Sequence, residues 1–274
     1  MAVSSIIVGG GLVGSALARQ LRAGGDNVLT IKGVRPTDEI SLPAGTRSVF
    51  ITAQSRDSHS AVATEDLTFV NTGLVEKALA AARSCGVEKV CLFSTASVYR
   101  HQQRPLREDD PLDETPGPYA QTKITAERLA SHWAPNFRRM LVLRPVMIYG
   151  PGLASNRLFA RLPAMVREGR EIILAQGRGL VTNPIHAEDA ARCAIRLMDG
   201  EGLGFFNLAG RDIVDLKEIV AIMAAELGLN PRLRETDDPF ELLVADIAAM
   251  RDAGAVPQIN VRYGLREYYR STLQ

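Results

Sequence analysis

Ser4-Ser5-Ile6-Ile7-Val8-Gly9-Gly10-Gly11-Leu12-Val13-Gly14 decides the fold of this 274-residue chain. The apolar run before the glycines reads as a short buried strand, and the alanine- and leucine-rich stretch to about Ala23 reads as a helix. Gly9, Gly11 and Gly14 fit G-x-G-x-x-G at the junction. In that strand–turn–helix setting the glycines permit a tight turn, close approach of backbone to a pyrophosphate, and close packing of helix on strand. The pyrophosphate is then held at the helix N-terminus, where unpaired N–H groups and the helix dipole favour an anion. Gly9, Gly11, Leu12, Val13 and Gly14 are therefore expected to bind a dinucleotide.

The next apolar run, residues 27–31, reads as a second strand, and its end carries the choice of cofactor. A site for NAD places an acidic residue there to accept from the ribose 2′-hydroxyl. This chain has Lys32 and then, after Gly33 and Val34, Arg35. Two cations and no carboxylate suit a 2′-phosphate, so NADP(H) is expected, with NAD(H) the alternative.

Farther along, residues 49–52 read as a strand, 65–85 as a helix stopped by Gly86, 90–93 as a strand, 119–133 as a helix and 140–143 as a strand. Strands alternating with helices imply an α/β protein with a Rossmann-type, doubly wound parallel sheet. Residues 1–150 are expected to form this dinucleotide-binding domain, rejoined by about 180–200, with 151–274 mainly a small mixed α/β substrate lobe. Helices are expected there at 158–168, 188–198, 216–227 and 240–253, with a short strand at 205–208.

Gly117 and Pro118 are suited to open the helix that carries Tyr119 and Lys123. Residues four apart share one helix face, about 6 Å apart along the axis, which places an ammonium beside a phenol. A free tyrosine loses its proton at about pH 10, and a fixed positive charge beside it favours the phenolate. Such a tyrosine can exchange a proton with an alcohol or ketone near neutral pH, the task of a general acid/base in hydride transfer. A strand end rich in hydroxyls, Ser94-Thr95-Ala96-Ser97, lies a little upstream.

Composition argues against other classes. A formal net charge of +1 and scattered arginines offer no broad footprint for nucleic acid. Cys85, Cys91 and Cys193 lack metal-ligand spacing, so no metal is expected; Cys91 and Cys193 read as buried free thiols, which suits a reducing compartment. No apolar run reaches membrane-spanning length, and the first strand is entered without a charged-then-apolar leader. A cytoplasmic protein acting on a small molecule is expected, with neither nucleic acid nor membrane as partner. His59, His101 and His132 have no matching partners and read as loop or surface residues.

In their order along the chain, these motifs resemble the extended short-chain dehydrogenase/reductase family, also called the NAD-dependent epimerase/dehydratase family. Thr52-Ala53 is similar to the strand end beside the cofactor, Asn71-Thr72-Gly73 resembles the asparagine motif of the long helix, and Thr95 stands at the family's serine/threonine position. Leu143 through Gly152 resembles the segment leading into the substrate lobe, and Pro184-Ile185-His186-Ala187-Glu188-Asp189 resembles a later helix start. The resemblance implies that Tyr119 exchanges the proton and that Lys123 lowers its pKa and holds the nicotinamide ribose. It also implies that Thr95 hydrogen-bonds the substrate oxygen and that Asn71 supports the lysine or a water. Thr52, Ala53 and Pro145 would lie beside the cofactor, and Thr95, Ser97, Met147 and Arg157 toward substrate. His186 is expected to make a structural hydrogen bond. A homodimer through the helices at 65–85 and 119–133 is the assembly the resemblance implies.

The chain departs from the family pattern in three places. Val8 stands where extended members carry the first glycine of their loop. The strand that usually follows the second has no counterpart within 36–46, so the sheet should be shortened by about one edge strand, leaving the adenine side more open. Met147, and Thr182 or Asn183, stand where a sugar-nucleotide site has an asparagine and a diphosphate-clamping arginine, leaving Arg157, Arg161 and Arg178 to compensate. An oxidoreductase moving a hydride to or from a small-molecule carbonyl or secondary alcohol is thus expected. A nucleotide-sugar epimerase/dehydratase with recycled cofactor, or a non-catalytic NADP-binding sensor, comes behind it.

Overall fold

The computed structural model describes residues 3–55, 62 and 64–273; His59 lies outside them. Along the chain run β1 (Ser5–Val8), α1 (Leu12–Ala23), β2 (Val28–Ile31), β3 (Ser48–Ile51), α2 (Glu65–Thr68), α3 (Leu74–Ser84), β4 (Lys89–Phe93), α4 (Pro118–Trp133) and β5 (Arg139–Pro145). There follow β6 (Ile148–Tyr149), α5 (Leu158–Arg167), β7 (Glu171–Ala175), β8 (Leu180–Thr182), β9 (Ile185–His186), α6 (Ala187–Leu197) and β10 (Gly202–Leu208). The last elements are β11 (Val214–Asp215), α7 (Leu216–Leu227), β12 (Arg232–Thr236), β13 (Glu241–Leu243), α8 (Ala248–Asp252) and α9 (Val261–Ser271).

Six strands form one sheet in the order β10-β5-β4-β3-β1-β2, every pair parallel. Helices cover both faces, which is why the strands read as continuous apolar runs. Side chains alternate: Ile7, Phe50, Cys91 and Leu141 join the core with residues of α1 and α6, while Ile6, Val49, Val90 and Met140 join that with α3 and α4. Residues 32–47 place no strand outside β2, so the sheet ends at this edge as the short connection implies. After β1 the chain turns outward to β2 and then returns to β3 on the other side of β1. The crevice at that reversal, beyond the carboxyl ends of β1 and β3, is where such sheets hold ligands.

The helix expected over 65–85 runs through, but with a π turn at Phe69–Gly73 between α2 and α3 that buries Asn71. After β5 the chain leaves for a second core, built from Tyr149, Phe159, Leu162, Ile219, Met223, Leu265 and Tyr269 among others. It returns when α6 packs on α1 and β10 pairs with β5.

One expectation fails here, and one element was not expected. Residues 240–253 are not one helix: β13 pairs with β8, and only α8 is helical. Fixed partners hold the segment extended, since the Asn183 side chain bonds both the N–H and the C=O of Ala245, and Leu106 bonds Val244 and Asp246. These tertiary bonds override a helical apolar spacing. Conversely, α9 escaped notice, although Asn260 caps it and Val261, Leu265 and Tyr268 supply its buried stripe.

Candidate active site

β1 delivers the chain into the glycine loop at a positive φ of 116° at Gly9, where a Cβ would stand 2.5 Å from Ala53 N. At Gly14 a Cβ would stand 2.1 Å from the Gly9 carbonyl oxygen, so only glycine lets α1 lie this close to β1. The Thr52 hydroxyl donates to that same carbonyl at 3.1 Å and ties the loop to β3. Gly11 is different: it is the N-cap of α1, has no side-chain cap, and a Cβ there would meet nothing within 4 Å. The first turn of α1 carries no acidic residue. The space beside Gly11 is therefore open, and no acidic residue in the first turn of α1 opposes an anion at the N–H groups that a helix start leaves unpaired. The cradle fits the pyrophosphate of a dinucleotide.

Lys32 and Arg35 part company. The Lys32 chain lies across Gly10, with its Cε 2.0 Å from where a Cβ would be. Arg35 turns instead to Asp38, whose carboxylate accepts from the Arg35 backbone N–H at 2.9 Å and pairs with the guanidinium at 3.4 Å. Of the two cations expected at a 2′-phosphate, Lys32 lies over the loop and Arg35 is occupied elsewhere. Solvent screens an ion pair this exposed, so it adds little to stability.

At the next strand end, Thr95 caps a short turn, accepting from Ser97 N–H and donating to Ser97 Oγ, each at 3.2 Å. Gly117 and Pro118 open α4 as expected, and Tyr119 and Lys123 share its inner face. The Tyr119 Oη accepts from Gln54 Nε2 at 3.0 Å. Lys123 is buried and donates from Nζ to the Phe93 carbonyl at 3.0 Å.

This geometry corrects the simple picture of an ammonium lowering its neighbour's pKa. Burial pushes the Tyr119 phenol up, and the groups pulling it back are Thr95, Arg157 and Gln54. Burial also draws Lys123 down to about 8, against the pull of Glu127 and together with Arg157. The unfolded chain thus holds the Lys123 proton more tightly than the folded one. Its penalty is complete below pH 8 and fades as pH rises from about 8 toward 10.5. In cofactor-free protein, Lys123→Met is expected to raise Tm at neutral pH, and the gain should shrink across that window. A gain independent of pH would show that Lys123 is not strained by burial.

Asn71 does not support Lys123 directly. Its Oδ1 accepts from Ser55 N–H at 3.4 Å and its Nδ2 donates to Thr122 Oγ1 at 3.0 Å, so it ties the end of β3 to α4. Ala53 and Pro145 sit at the carboxyl ends of β3 and β5, and Ser97 is exposed beside Thr95. Met147 packs toward the second core, and Thr182 is fully buried. Arg157, the N-cap residue of α5, bears electrostatically on both Tyr119 and Lys123. Arg178 is held by Asp215 at 3.4 Å and stacks on Phe240, while Arg161 is exposed. His186 makes the structural bond expected of it, its Nδ1 accepting from Glu188 N–H at 3.2 Å. His101 and His132 are exposed.

Two residues went unnoticed in the sequence. Gln54 stands one place beyond Thr52-Ala53, and Glu127 lies four residues past Lys123, a further step along the same helix face that spacing alone makes visible.

Parallel strands with helices on both faces, and a glycine cradle opening the first helix, define the dinucleotide-binding class of α/β enzymes. The sequence model of the NAD dependent epimerase/dehydratase family matches residues 5–209, and the chain belongs to that family. A dTDP-4-dehydro-6-deoxy-D-allose reductase from Streptomyces sp is 24% identical over 95% of this chain and 93% of its own length. A 2-alkyl-3-oxoalkanoate reductase from Stenotrophomonas maltophilia is 24% identical over 96% of this chain and 97% of its own. The Bacillus cereus UDP-glucuronic acid 4-epimerase, solved with UDP-glucuronic acid and NAD, superposes with a TM-score of 0.83 at 18% identity, covering 98% of this chain and 100% of that one. Reductases thus stand among this chain's relatives in sequence, and an epimerase among the structures that share its fold. Among the described residues, no helix is long and apolar enough to cross a membrane.

Proposed function

We propose that this enzyme is an NADP(H)-dependent oxidoreductase acting on a carbonyl or secondary alcohol of a small molecule, with Tyr119 as general acid/base. The observation that carries the reading is the Tyr119 phenol, set beside Thr95 and 3.0 Å from Gln54 Nε2 at the carboxyl ends of β3 and β4. When bound, the cofactor supplies or accepts the hydride. The chain's own residues do the rest. The N–H groups at Gly11, Leu12 and Val13 hold the pyrophosphate, with Gly9 and Gly14 shaping the turn. Thr95 orients the substrate oxygen, Tyr119 gives or takes its proton, and Lys123, one turn farther along α4, holds the nicotinamide ribose. Pro145 and Ala53 border the cofactor, and Ser97, Arg157 and the edge of Met147 face substrate.

A sugar-nucleotide substrate fits less well. Met147 offers a thioether directed into an apolar cluster, and the Asn183 amide is committed to Ala245 and Gly210. Neither clamps a diphosphate.

Titration of nucleotide-free protein with NADPH and with NADH, followed by cofactor fluorescence, tests the cofactor part. NADPH should bind more tightly, and Lys32→Ala should weaken NADPH by roughly tenfold to a hundredfold, as loss of a charge-assisted bond does, while sparing NADH. Equal loss for both would move Lys32 to the pyrophosphate and end the NADP assignment. NADPH oxidation over a panel of ketones and aldehydes tests the chemistry.

A further inference from the structure

Gln54 follows Thr52-Ala53 at the carboxyl end of β3, and its Nε2 donates to Tyr119 Oη at 3.0 Å. Its backbone is held on both sides. Before it, the Thr52 hydroxyl is bound to the Gly9 carbonyl at 3.1 Å. After it, the Ser55 N–H donates to Asn71 Oδ1 at 3.4 Å and the Ser55 hydroxyl donates to Asp66. Ser55 and Asn71 are buried, whereas Gln54 is exposed. A fixed backbone therefore presents an accessible amide to the oxygen that the proposed reaction uses.

We propose that Gln54 is a further catalytic residue, whose amide N–H stabilises the Tyr119 phenolate left when the phenol protonates the substrate oxygen. This rests on the reading of Tyr119 as the acid/base. In the reducing direction, the phenol O–H bond breaks as an O–H bond forms on the substrate oxygen, and the bonding pair stays on Oη. The Gln54 N–H points at that atom throughout. A phenol oxygen is a modest acceptor and a phenolate a strong one, so the bond strengthens as charge develops. Interactions that grow toward the transition state accelerate the step; those equal in both states do not. In the oxidising direction the same bond makes the phenolate available at lower pH.

The site has a need for such a donor. Burial drives the phenol's pKa up, and Lys123 turns its ammonium to the Phe93 carbonyl. Thr95, Arg157 and Gln54 are what offset burial. A carboxylate at position 54 would have no proton to donate and would add repulsion, so the residue type matters as much as its reach.

The test needs no substrate. Protein labelled with carbon-13 at the tyrosine Cζ gives six signals, and the one missing from Tyr119→Phe belongs to Tyr119. Its titration is compared in wild type, Gln54→Met and Gln54→Glu; both are close to the native side chain in size and sit at an exposed position. The midpoint should rise by about one pH unit in Gln54→Met, a roughly tenfold gain in proton affinity, and further in Gln54→Glu. An unmoved midpoint in Gln54→Met, with Gln54→Glu equally silent, overturns the proposal. That outcome leaves the acid/base reading intact, because the reading falls only if Tyr119→Phe keeps its turnover.

Discussion

Tyr119→Phe is expected to lower the rate of NADPH-dependent ketone reduction by about 10²- to 10⁴-fold, the usual contribution of a positioned general acid. Cofactor affinity should stay as it is, because the glycine cradle and Lys32 lie on β1, α1 and the end of β2, and Lys123 on α4 is left in place with its bond to the Phe93 carbonyl. The substitution removes one oxygen and keeps the ring. Gln54 is exposed and Thr95 retains its bonds with Ser97, so the hydrogen-bonding groups left behind have other partners or water. Loss of stability should therefore be small. Single-turnover oxidation of bound NADPH measures the effect apart from substrate release. A variant with the wild-type rate would take Tyr119 out of the chemistry; binding of NADPH with no turnover in the wild type would be the result that revives the sensor reading.

The largest effect on stability should come from Arg144→Met. Arg144 and Glu127 form a buried bidentate pair at 2.8 and 3.1 Å, with side chains 6% and 4% exposed. Arg144 also donates to Tyr99 Oη at 3.0 Å and to the Glu108 carbonyl at 3.1 Å, and stacks on Phe205. Removing the guanidinium strands the Glu127 carboxylate in the interior, which costs about 3–5 kcal/mol. Removing both charges together does not, so Arg144→Met combined with Glu127→Leu should recover much of the loss. Urea unfolding midpoints for the two single variants and the double decide it. A double variant as unstable as Arg144→Met would mean that the network matters for its shape and not for its charge balance. Glu127 stands one turn beyond Lys123 on α4, so the single variants should also disturb the helix that carries the candidate site.

Local patterns determined much of this molecule. The passage from β1 through Gly9, Gly11 and Gly14 into α1, the opening of α4 at Gly117-Pro118, and the shared face of Tyr119 and Lys123 all follow from chemistry within a few residues. The missing edge strand was legible too, because a polar stretch of that length leaves no apolar run to bury. Where the polar atoms of the site find their partners was decided only by tertiary structure. Gln54 meets Tyr119 across 65 residues, and Asn183 holds Ala245 extended across 62, against a spacing that reads as helical. The Lys123 ammonium goes to the Phe93 carbonyl and leaves the phenol's pKa to burial and to other donors. Spacing along a helix fixes which side chains share a face. Which strand end they face, and how much water reaches them, depends on the order in which distant strands assemble into the sheet.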